Sequence, residues 1–182
     1  LTELYHPCQA LADLLTLQER FGTLDGLRLA YVGDGNNVAA SLMVLGAKAG
    51  VDVVVASPGE LAPAPAAVEL ARAGAEGSGR AAVVTDPQEA AAGAHAVYAD
   101  VWVSMGDDPA EAAARRETLA PYRVDDALLA AARDGAIVLH CLPAHRDEEI
   151  AAEVFEQHAG EIFDEAENRL HAQKAVLVKL MG

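Results

Sequence analysis

Short apolar runs alternate with amphipathic stretches along most of the chain. The apolar runs are five or six residues long and nearly continuous, at 27–32, 51–56, 81–85, 95–99 and 136–140. Runs of this length that are not strictly alternating are typical of strands covered on both faces. The pattern therefore predicts five strands of a parallel sheet.

Alanine-rich stretches between and after these runs predict helices. The first begins at Pro7 and ends before Gly22. The others are predicted at 37–49, 64–73, 87–92, 109–119, 125–133, 147–158 and 165–181. The alternation indicates one α/β domain, a doubly wound, open, Rossmann-like parallel sheet with helices on both faces. We expect strand order 3-2-1-4-5, in which the first and fourth strands flank the topological switch point.

Composition and charge exclude several function classes. The net charge is −15 over 182 residues, with no Lys/Arg-rich tract, which excludes nucleic acids and membrane surfaces as partners. No apolar stretch approaches the roughly 20 residues that span a bilayer. Cys8 and Cys141 form no Cys-x-x-Cys motif, so we expect reduced thiols and a cytoplasmic protein. Because the chain begins at Leu1 without an initiator methionine, we expect a segment of a longer protein.

Polar residues follow three of the predicted strands. They are Gly-Asp-Gly-Asn-Asn at 33–37, Asp-Val-Trp-Val-Ser-Met-Gly at 100–106 and His-Cys-Leu-Pro at 140–143. Open parallel sheets bind ligands outside the carboxyl ends of their strands. We therefore expect these three loops to form the functional site.

The two glycines after the first strand suggest a dinucleotide fingerprint, but Val38 occupies the position of its third glycine. The amides of Asn36 and Asn37 instead lie at a helix start, where they can hydrogen-bond a carboxylate. In the plainer interpretation, Asn36 is only an N-cap and Asn37 a turn residue.

Asp100 ends the fourth strand, where a carboxylate can hold a substrate ammonium in a partly desolvated mouth. Alternatively, Asp100 caps a turn, Trp102 fills the core and Ser104 is solvated.

The strand end at His140 and Cys141 also has two interpretations. The thiol can act as a proton acceptor or a hydrogen-bond partner if its pKa is lowered, or it is a small buried hydrophobe. A zinc site of His140, Cys141 and His145 matches no standard ligand set, so no metal is predicted. The chain contains no nucleophile elbow, which disfavours a catalytic triad.

Two further groups belong to predicted helices. The His6 imidazole can donate to a developing oxyanion, and Gln9 can accept from an amide, although both also fit a simple helix start. Arg169 stands among acids, so it is either paired with Glu165 or another acid, or directed at an anion.

Taken together, these motifs give the sequence a resemblance to the ornithine carbamoyltransferases. The elements His-Pro-Cys-Gln, Gly-Asp-Gly-Asn-Asn, Asp-Val-Trp-Val-Ser-Met-Gly, His-Cys-Leu-Pro and Glu-Asn-Arg occur in order from the first helix to the C-terminus. The family's Ser-x-Arg-Thr-Arg phosphate cradle is missing. The resemblance implies that residues 1–182 are the ornithine-binding domain with its leading interdomain helix at 1–22, without the amino-terminal carbamoyl-phosphate domain.

For ornithine, the resemblance implies a distinct role for each matched position. Asn37 would bind the α-carboxylate and Asp100 the α-ammonium, and Ser104 with Met105 would contact the same head group through a mobile loop. The side-chain amine would then point at Cys141.

For carbamoyl phosphate, the resemblance implies contacts from His6 and Gln9 to the carbamoyl oxygen and amide. The backbone at Cys141 and Leu142 and the side chain of Arg169 would complete that end of the site, with Cys141, His6 and Arg169 as the catalytic groups.

The implied reaction is attack of the neutral δ-amine on carbamoyl phosphate, yielding citrulline and phosphate in arginine biosynthesis without metal or organic cofactor. The full-length protein would be a homotrimer, and the isolated chain would be inactive. Aspartate carbamoyltransferase is disfavoured because it would show His-Pro-Leu-Pro. Two alternatives remain open: a carbamoyltransferase for another amine such as putrescine, and a non-catalytic Rossmann-like binding module. Titration with ornithine, NAD and nucleotides distinguishes such a binding module from an amine site.

Overall fold

Five parallel strands form one open sheet in the computed structural model, which describes residues 1–103 and 108–182. The strands are β1 (Arg28–Val32), β2 (Asp52–Ala56), β3 (Arg80–Val84), β4 (Ala96–Ala99) and β5 (Ile137–His140). Their order is β3-β2-β1-β4-β5, and every neighbouring pair is parallel. The predicted fold class and strand order are confirmed. The order reverses between β1 and β4, which makes their carboxyl ends the expected ligand crevice.

The connecting segments are helical. The helices are α1 (Pro7–Phe21), α2 (Asn37–Lys48), α3 (Pro65–Ala73), α4 (Pro87–Ala91), α5 (Pro109–Leu119), α6 (Asp126–Leu129), α7 (Ala152–Gln157) and α8 (Ala159–Met181). Short 3-10 helices occur at Gly59–Leu61 and Ala120–Tyr122. Helix α1 starts at a proline, whose fixed φ suits the first turn, and ends at Gly22 in the left-handed conformation.

Three helix boundaries differ from the sequence prediction. Helix α7 begins only at Ala152 because residues 147–149 form a turn between the bridged residues Arg146 and Ile150, and Ile150 is also bridged to Val124. Helix α8 starts earlier than position 165, directly after α7. Helix α6 is shorter than 125–133 because the chain beyond it hydrogen-bonds to the loop before β4. Tertiary hydrogen bonds outweigh local helix propensity in these segments.

Alternate strand side chains face two separate apolar layers. Leu29 and Tyr31 of β1 belong to the layer covered by α1, α2 and α3, whereas Ala30 and Val32 belong to the layer covered by α4, α6 and α7. Tyr31 stacks on Tyr98 of β4 with ring centroids 5.6 Å apart. Full burial of such a side chain contributes roughly 1.5–3 kcal/mol. The sheet is therefore fixed from both faces.

Helix α8 packs along α1, and this interface contains buried polar side chains. Asn168 Nδ2 donates to Thr16 Oγ1 at 3.1 Å and to Glu19 Oε2 at 2.8 Å. Gln9, Asp13 and Glu165 are buried in the same interface. Within the described ranges, no helix has the length and apolar character needed to cross a membrane.

The two glycines after β1 serve loop packing. Gly33 has a φ of 135°, and a Cβ placed on it would lie 3.7 Å from Trp102 Nε1. A Cβ on Gly35 would lie 2.3 Å from the backbone nitrogen of Pro63, closer than real contacts allow. The backbone approach explains why Gly35 is glycine without any bound pyrophosphate.

We expect Gly35→Ala to lower the free energy of unfolding by about 1 to 3 kcal/mol, because the clash is with backbone that cannot rotate away. Urea denaturation of the protein measures this change. Gly59→Ala is the matched control, since nothing lies within 4 Å of its Cβ position, and its effect should stay within about 0.5 kcal/mol. Equal effects of the two substitutions would contradict the packing explanation.

Candidate active site

Asp100 is a buried carboxylate at the carboxyl end of β4, 6% exposed. Its Oδ1 accepts from the amide of Val101 at 2.7 Å and from the thiol of Cys141 at 2.8 Å. Its Oδ2 accepts from Asn36 Nδ2 at 2.7 Å. These contacts join the ends of β1, β4 and β5 at one carboxylate. No Lys, Arg or His of the described residues forms an ion pair with it.

Asn36 is the N-cap of α2, as the plainer interpretation predicts, but it also reaches Asp100. Its Oδ1 accepts from the amides of Val38 and Ala39 and from the hydroxyl of Tyr31. These donors orient the amide so that Nδ2 faces Asp100. The sequence revealed the cap and gave no signal for the second contact, which depends on the pairing of β1 with β4.

Asn37 lies beside Asn36 and faces a cleft of about 440 Å³. Its Nδ2 donates to the carbonyl of Thr2 at 2.7 Å. The cleft is also lined by Asp34 and Arg115, which form an ion pair, and by Trp102. Trp102 is 4% exposed and belongs to the core, which confirms the alternative that placed it there.

The predicted head-group residues Ser104 and Met105 lie outside the described residues. In the sequence they stand between two residues that line the cleft, Trp102 and Arg115 of α5.

Cys141 does not have the lowered pKa that a thiolate role requires. Burial raises the pKa of its thiol well above the usual value, and the negative charge of Asp100 raises it further. The thiol therefore stays protonated at neutral pH and donates to Asp100. Cys141 is thus a hydrogen-bond donor with a raised pKa, and the roles that were considered for a lowered pKa are not supported.

His140 is held by three contacts at the end of β5. Its amide donates to Glu165 Oε2 at 2.7 Å, and its Nδ1 accepts from the amide of Leu142 at 2.9 Å. Nε2 therefore carries the proton and donates to Glu149 at 3.1 Å. The Leu142 amide is thus already hydrogen-bonded, and the group of its backbone that can contact a substrate is the carbonyl oxygen.

The zinc set of His140, Cys141 and His145, rejected from its spacing, is not assembled. His140 bonds Glu149, and Cys141 bonds Asp100. In the described part of the chain, the one group of potential metal ligands is His145 with Glu148 and Glu149, whose donor atoms lie within 4.8 Å of one another.

Gln9 and Arg169 meet between α1 and α8. Arg169 NH1 donates to Gln9 Oε1 at 2.7 Å. Among the described residues, Arg169 forms no ion pair with Glu165 or another acid, and its buried Nε has no hydrogen-bond partner. Of the two alternatives for Arg169, pairing with an acid is therefore not observed, because Glu165 is already used by other donors. The guanidinium remains available for an anion.

His6 lies at the start of α1, where its amide donates to Ser41 Oγ at 2.7 Å. Burial lowers the pKa of the imidazole, and the charge of Arg169 lowers it further against the opposing effect of Asp100. His6 is therefore neutral at pH 7, and its buried Nδ1 has no hydrogen-bond partner among the described residues. A neutral imidazole can donate one hydrogen bond to a substrate oxygen.

Asp13 and Glu165 form a buried carboxyl pair that the sequence analysis did not identify. Both are fully buried, and burial is the main reason that the pKa of each is raised. The sequence contains a signal that Asp13 is buried. Gln9 and Asp13 are four residues apart, and they share the face of α1 that also carries the apolar Leu17.

The site residues thus fall into two groups, one around Asp100 with Cys141 and one around Gln9 with Arg169. His6 is electrostatically coupled to both, through Asp100 and Arg169. A larger cleft, about 590 Å³, lies beside Arg28 and Arg80 at the amino ends of the strands and contains none of these residues.

Comparison with known proteins places this arrangement in a family. Residues 25–180 match the family described as aspartate/ornithine carbamoyltransferase, Asp/Orn binding domain. The chain belongs to this family. The resemblance inferred from the motifs is confirmed.

Relatives of this carbamoyltransferase domain are longer proteins. An ornithine carbamoyltransferase of Acidothermus cellulolyticus is 60% identical over 182 residues, which are 100% of this chain and 58% of that protein. One from Thermosynechococcus vestitus is 57% identical over 181 residues, again 100% and 58%. The crystal structure of ornithine carbamoyltransferase from Gloeobacter violaceus matches with a TM-score of 0.90 and 52% identity, covering 100% of this chain and 60% of that one. The chain spans about 58% of the length of the curated relatives it matches.

The raised pKa of Cys141 predicts slow alkylation by iodoacetamide at pH 7, with a rate that rises as the pH approaches the thiol pKa. Mass spectrometry of digests separates Cys141 from Cys8. Asp100→Asn removes the neighbouring charge and should speed alkylation of Cys141 several-fold at pH 7. Fast reaction of Cys141 in the unsubstituted protein would contradict the hydrogen-bond role.

Proposed function

We propose that residues 1–182 form the ornithine-binding domain of an ornithine carbamoyltransferase, with the segment 1–22 as its leading interdomain helix. We assign the complementary carbamoyl-phosphate domain to the rest of the full-length protein, because this chain spans only about 58% of the length of its relatives. The enzyme transfers a carbamoyl group from carbamoyl phosphate to L-ornithine and forms L-citrulline and phosphate.

The observation that carries this proposal is the Asp100 carboxylate. It is nearly buried at the switch point, and no cationic partner occurs among the described residues. Burial of an unpaired carboxylate is costly, whereas a substrate ammonium satisfies both its charge and its lone pairs. In our proposal, Asp100 binds the α-ammonium of ornithine.

The opposite end of the amino-acid head group is assigned to Asn37. Its amide exchanges the partly exposed bond to Thr2 for the α-carboxylate, with support from the start of α2. Ser104 and Met105 are proposed to contact the same head group. This orientation directs the side-chain amine toward Cys141, beside Asp100.

The carbamoyl end is assigned to His6, Gln9 and Arg169. The neutral His6 and the guanidinium donate to the carbamoyl oxygen, on which negative charge develops as the amine attacks. Gln9 Oε1 accepts from the carbamoyl NH₂, and the carbonyl oxygens of Cys141 and Leu142 complete this end. The new N–C bond forms, the C–O bond to phosphate breaks, and the amine proton leaves with the phosphate. The proposal requires orientation and charge stabilisation and no cofactor.

The remaining parts of the proposal concern assembly and location. We assign the full-length protein to a homotrimer in the cytoplasm, acting in arginine biosynthesis. The two free cysteines agree with the cytoplasmic location.

In the full-length enzyme, Asp100→Ala should raise the ornithine KM while the carbamoyl phosphate KM stays within about two-fold. Loss of one partner of a desolvated charge pair costs about 2 to 5 kcal/mol, which corresponds to at least about thirty-fold in KM. Asp52→Asn is the control, since that side chain pairs with Arg28 at the opposite end of the strands. An unchanged ornithine KM would show that Asp100 does not bind ornithine. Faster turnover of putrescine than of ornithine would show that putrescine is the substrate.

The chain alone should bind ornithine weakly, on the order of millimolar, and should form no measurable citrulline, because half of the stabilising groups belong to the other domain. Addition of a separately purified carbamoyl-phosphate domain should restore turnover. Calorimetric titration and a citrulline assay measure the two quantities. Substantial turnover by the chain alone would refute the half-site argument.

A further inference from the structure

Glu165 is the point at which three elements around the carbamoyl end meet. Its Oε1 accepts from Gln9 Nε2 of α1 at 3.0 Å and from the hydroxyl of Tyr98 of β4 at 3.1 Å. Its Oε2 accepts from the amide of His140 of β5 at 2.7 Å. A carboxyl group that accepts from three donors is best satisfied in its ionised form.

Asp13 supplies the second acceptor for the same glutamine. Gln9 Nε2 donates to Asp13 Oδ1 at 2.7 Å as well as to Glu165. The buried Oδ2 of Asp13 has no N–H or O–H donor among the described residues, and the carboxyl group flanks the same NH₂ group of Gln9 as that of Glu165. A proton on Oδ2, donated to Glu165, gives this atom a partner.

Charge supports the same assignment of the proton. Burial and repulsion from Glu165 raise the pKa of Asp13 well above its usual range. The hydrogen bonds from Asp13, His140 and Tyr98 counteract the rise for Glu165. Asp13 is therefore the protonated member of the pair and Glu165 the ionised one.

Two acceptors on the NH₂ side of Gln9 decide which way its amide faces. The NH₂ group must point into the carboxyl pair, which leaves Oε1 for Arg169. If the amide were reversed, its oxygen would face the ionised Glu165 and its NH₂ group would face the guanidinium, so that both contacts would be repulsive.

We infer that Asp13 and Glu165 are positioning residues for carbamoyl transfer, which together hold the Gln9 amide with its oxygen toward Arg169 and the carbamoyl NH₂ of the substrate. The inference rests on the proposed function, since it assigns Gln9 to carbamoyl phosphate. Through Tyr98 and the amide of His140, Glu165 also ties this orientation to the ends of β4 and β5, where Asp100 and Cys141 lie.

The test is a double-mutant cycle in the full-length enzyme. Glu165→Gln should lower kcat/KM for carbamoyl phosphate about ten-fold or more, because a neutral amide no longer fixes Gln9. In a Gln9→Ala background, the same substitution should change kcat/KM less than about two-fold. The ornithine KM should stay within about three-fold throughout.

Asp13 provides a rescue by a conservative variant. Asp13→Asn keeps an acceptor for Gln9 and supplies an N–H in place of the proton shared with Glu165, so kcat/KM should remain within about three-fold of the unsubstituted enzyme. Asp13→Ala removes both the acceptor and the donor, and should lower kcat/KM about ten-fold or more. Thermal unfolding of every variant verifies that it is folded.

Asn168→Ala is the matched control, because this side chain links α8 to α1 through Thr16 and Glu19 without touching Gln9. Its effect should be the same with and without Gln9→Ala. If Glu165→Gln lowered kcat/KM equally in the Gln9→Ala background, Glu165 would not act through Gln9. The positioning role would then be refuted, and the role of Glu165 would be structural. Absence of carbamoyl transfer in the unsubstituted enzyme would instead refute the proposed function.

Discussion

The carboxyl ends of β1, β4 and β5 lie side by side because the strands are parallel and the order reverses between β1 and β4. Both faces of such a sheet must be covered, so the helices occupy the faces and only the strand ends remain for a ligand. Asp100 can therefore be buried beside Asn36 and Cys141 without contact to a basic residue of the described chain. The arrangement of the site depends on this single topological constraint.

The packing of α8 on α1 adds the second half of the site. A helix interface normally buries apolar side chains, but this one also buries Gln9, Asp13 and Glu165. Hydrogen bonds from Gln9, Tyr98 and the amide of His140 satisfy both oxygens of Glu165 and link α1 to β4 and β5. The same network that holds α8 in place thus orients the groups proposed for the carbamoyl end, while Arg169 remains unpaired with any acid of the described chain.

Two interpretations from the sequence were corrected by this environment. Cys141 at a strand end allowed either a raised or a lowered pKa, and the neighbour that decides the direction, Asp100, lies 41 positions away in the chain. One of the two interpretations of Arg169 paired it with Glu165 or another nearby acid. Glu165 is instead used by donors from three other elements, which the spacing within α8 does not reveal.

The sequence by itself determined the five strands, the polar strand ends and the family, because apolar periodicity and short motifs are local properties of the chain. It also located Asn36 as a helix cap, since capping depends on neighbouring residues. Only the tertiary structure decided the charge state of Cys141, the partner of Arg169 and the orientation of Gln9. Each of these depends on desolvation and on atoms distant in sequence, as with Gln9 and Glu165, which are 156 positions apart.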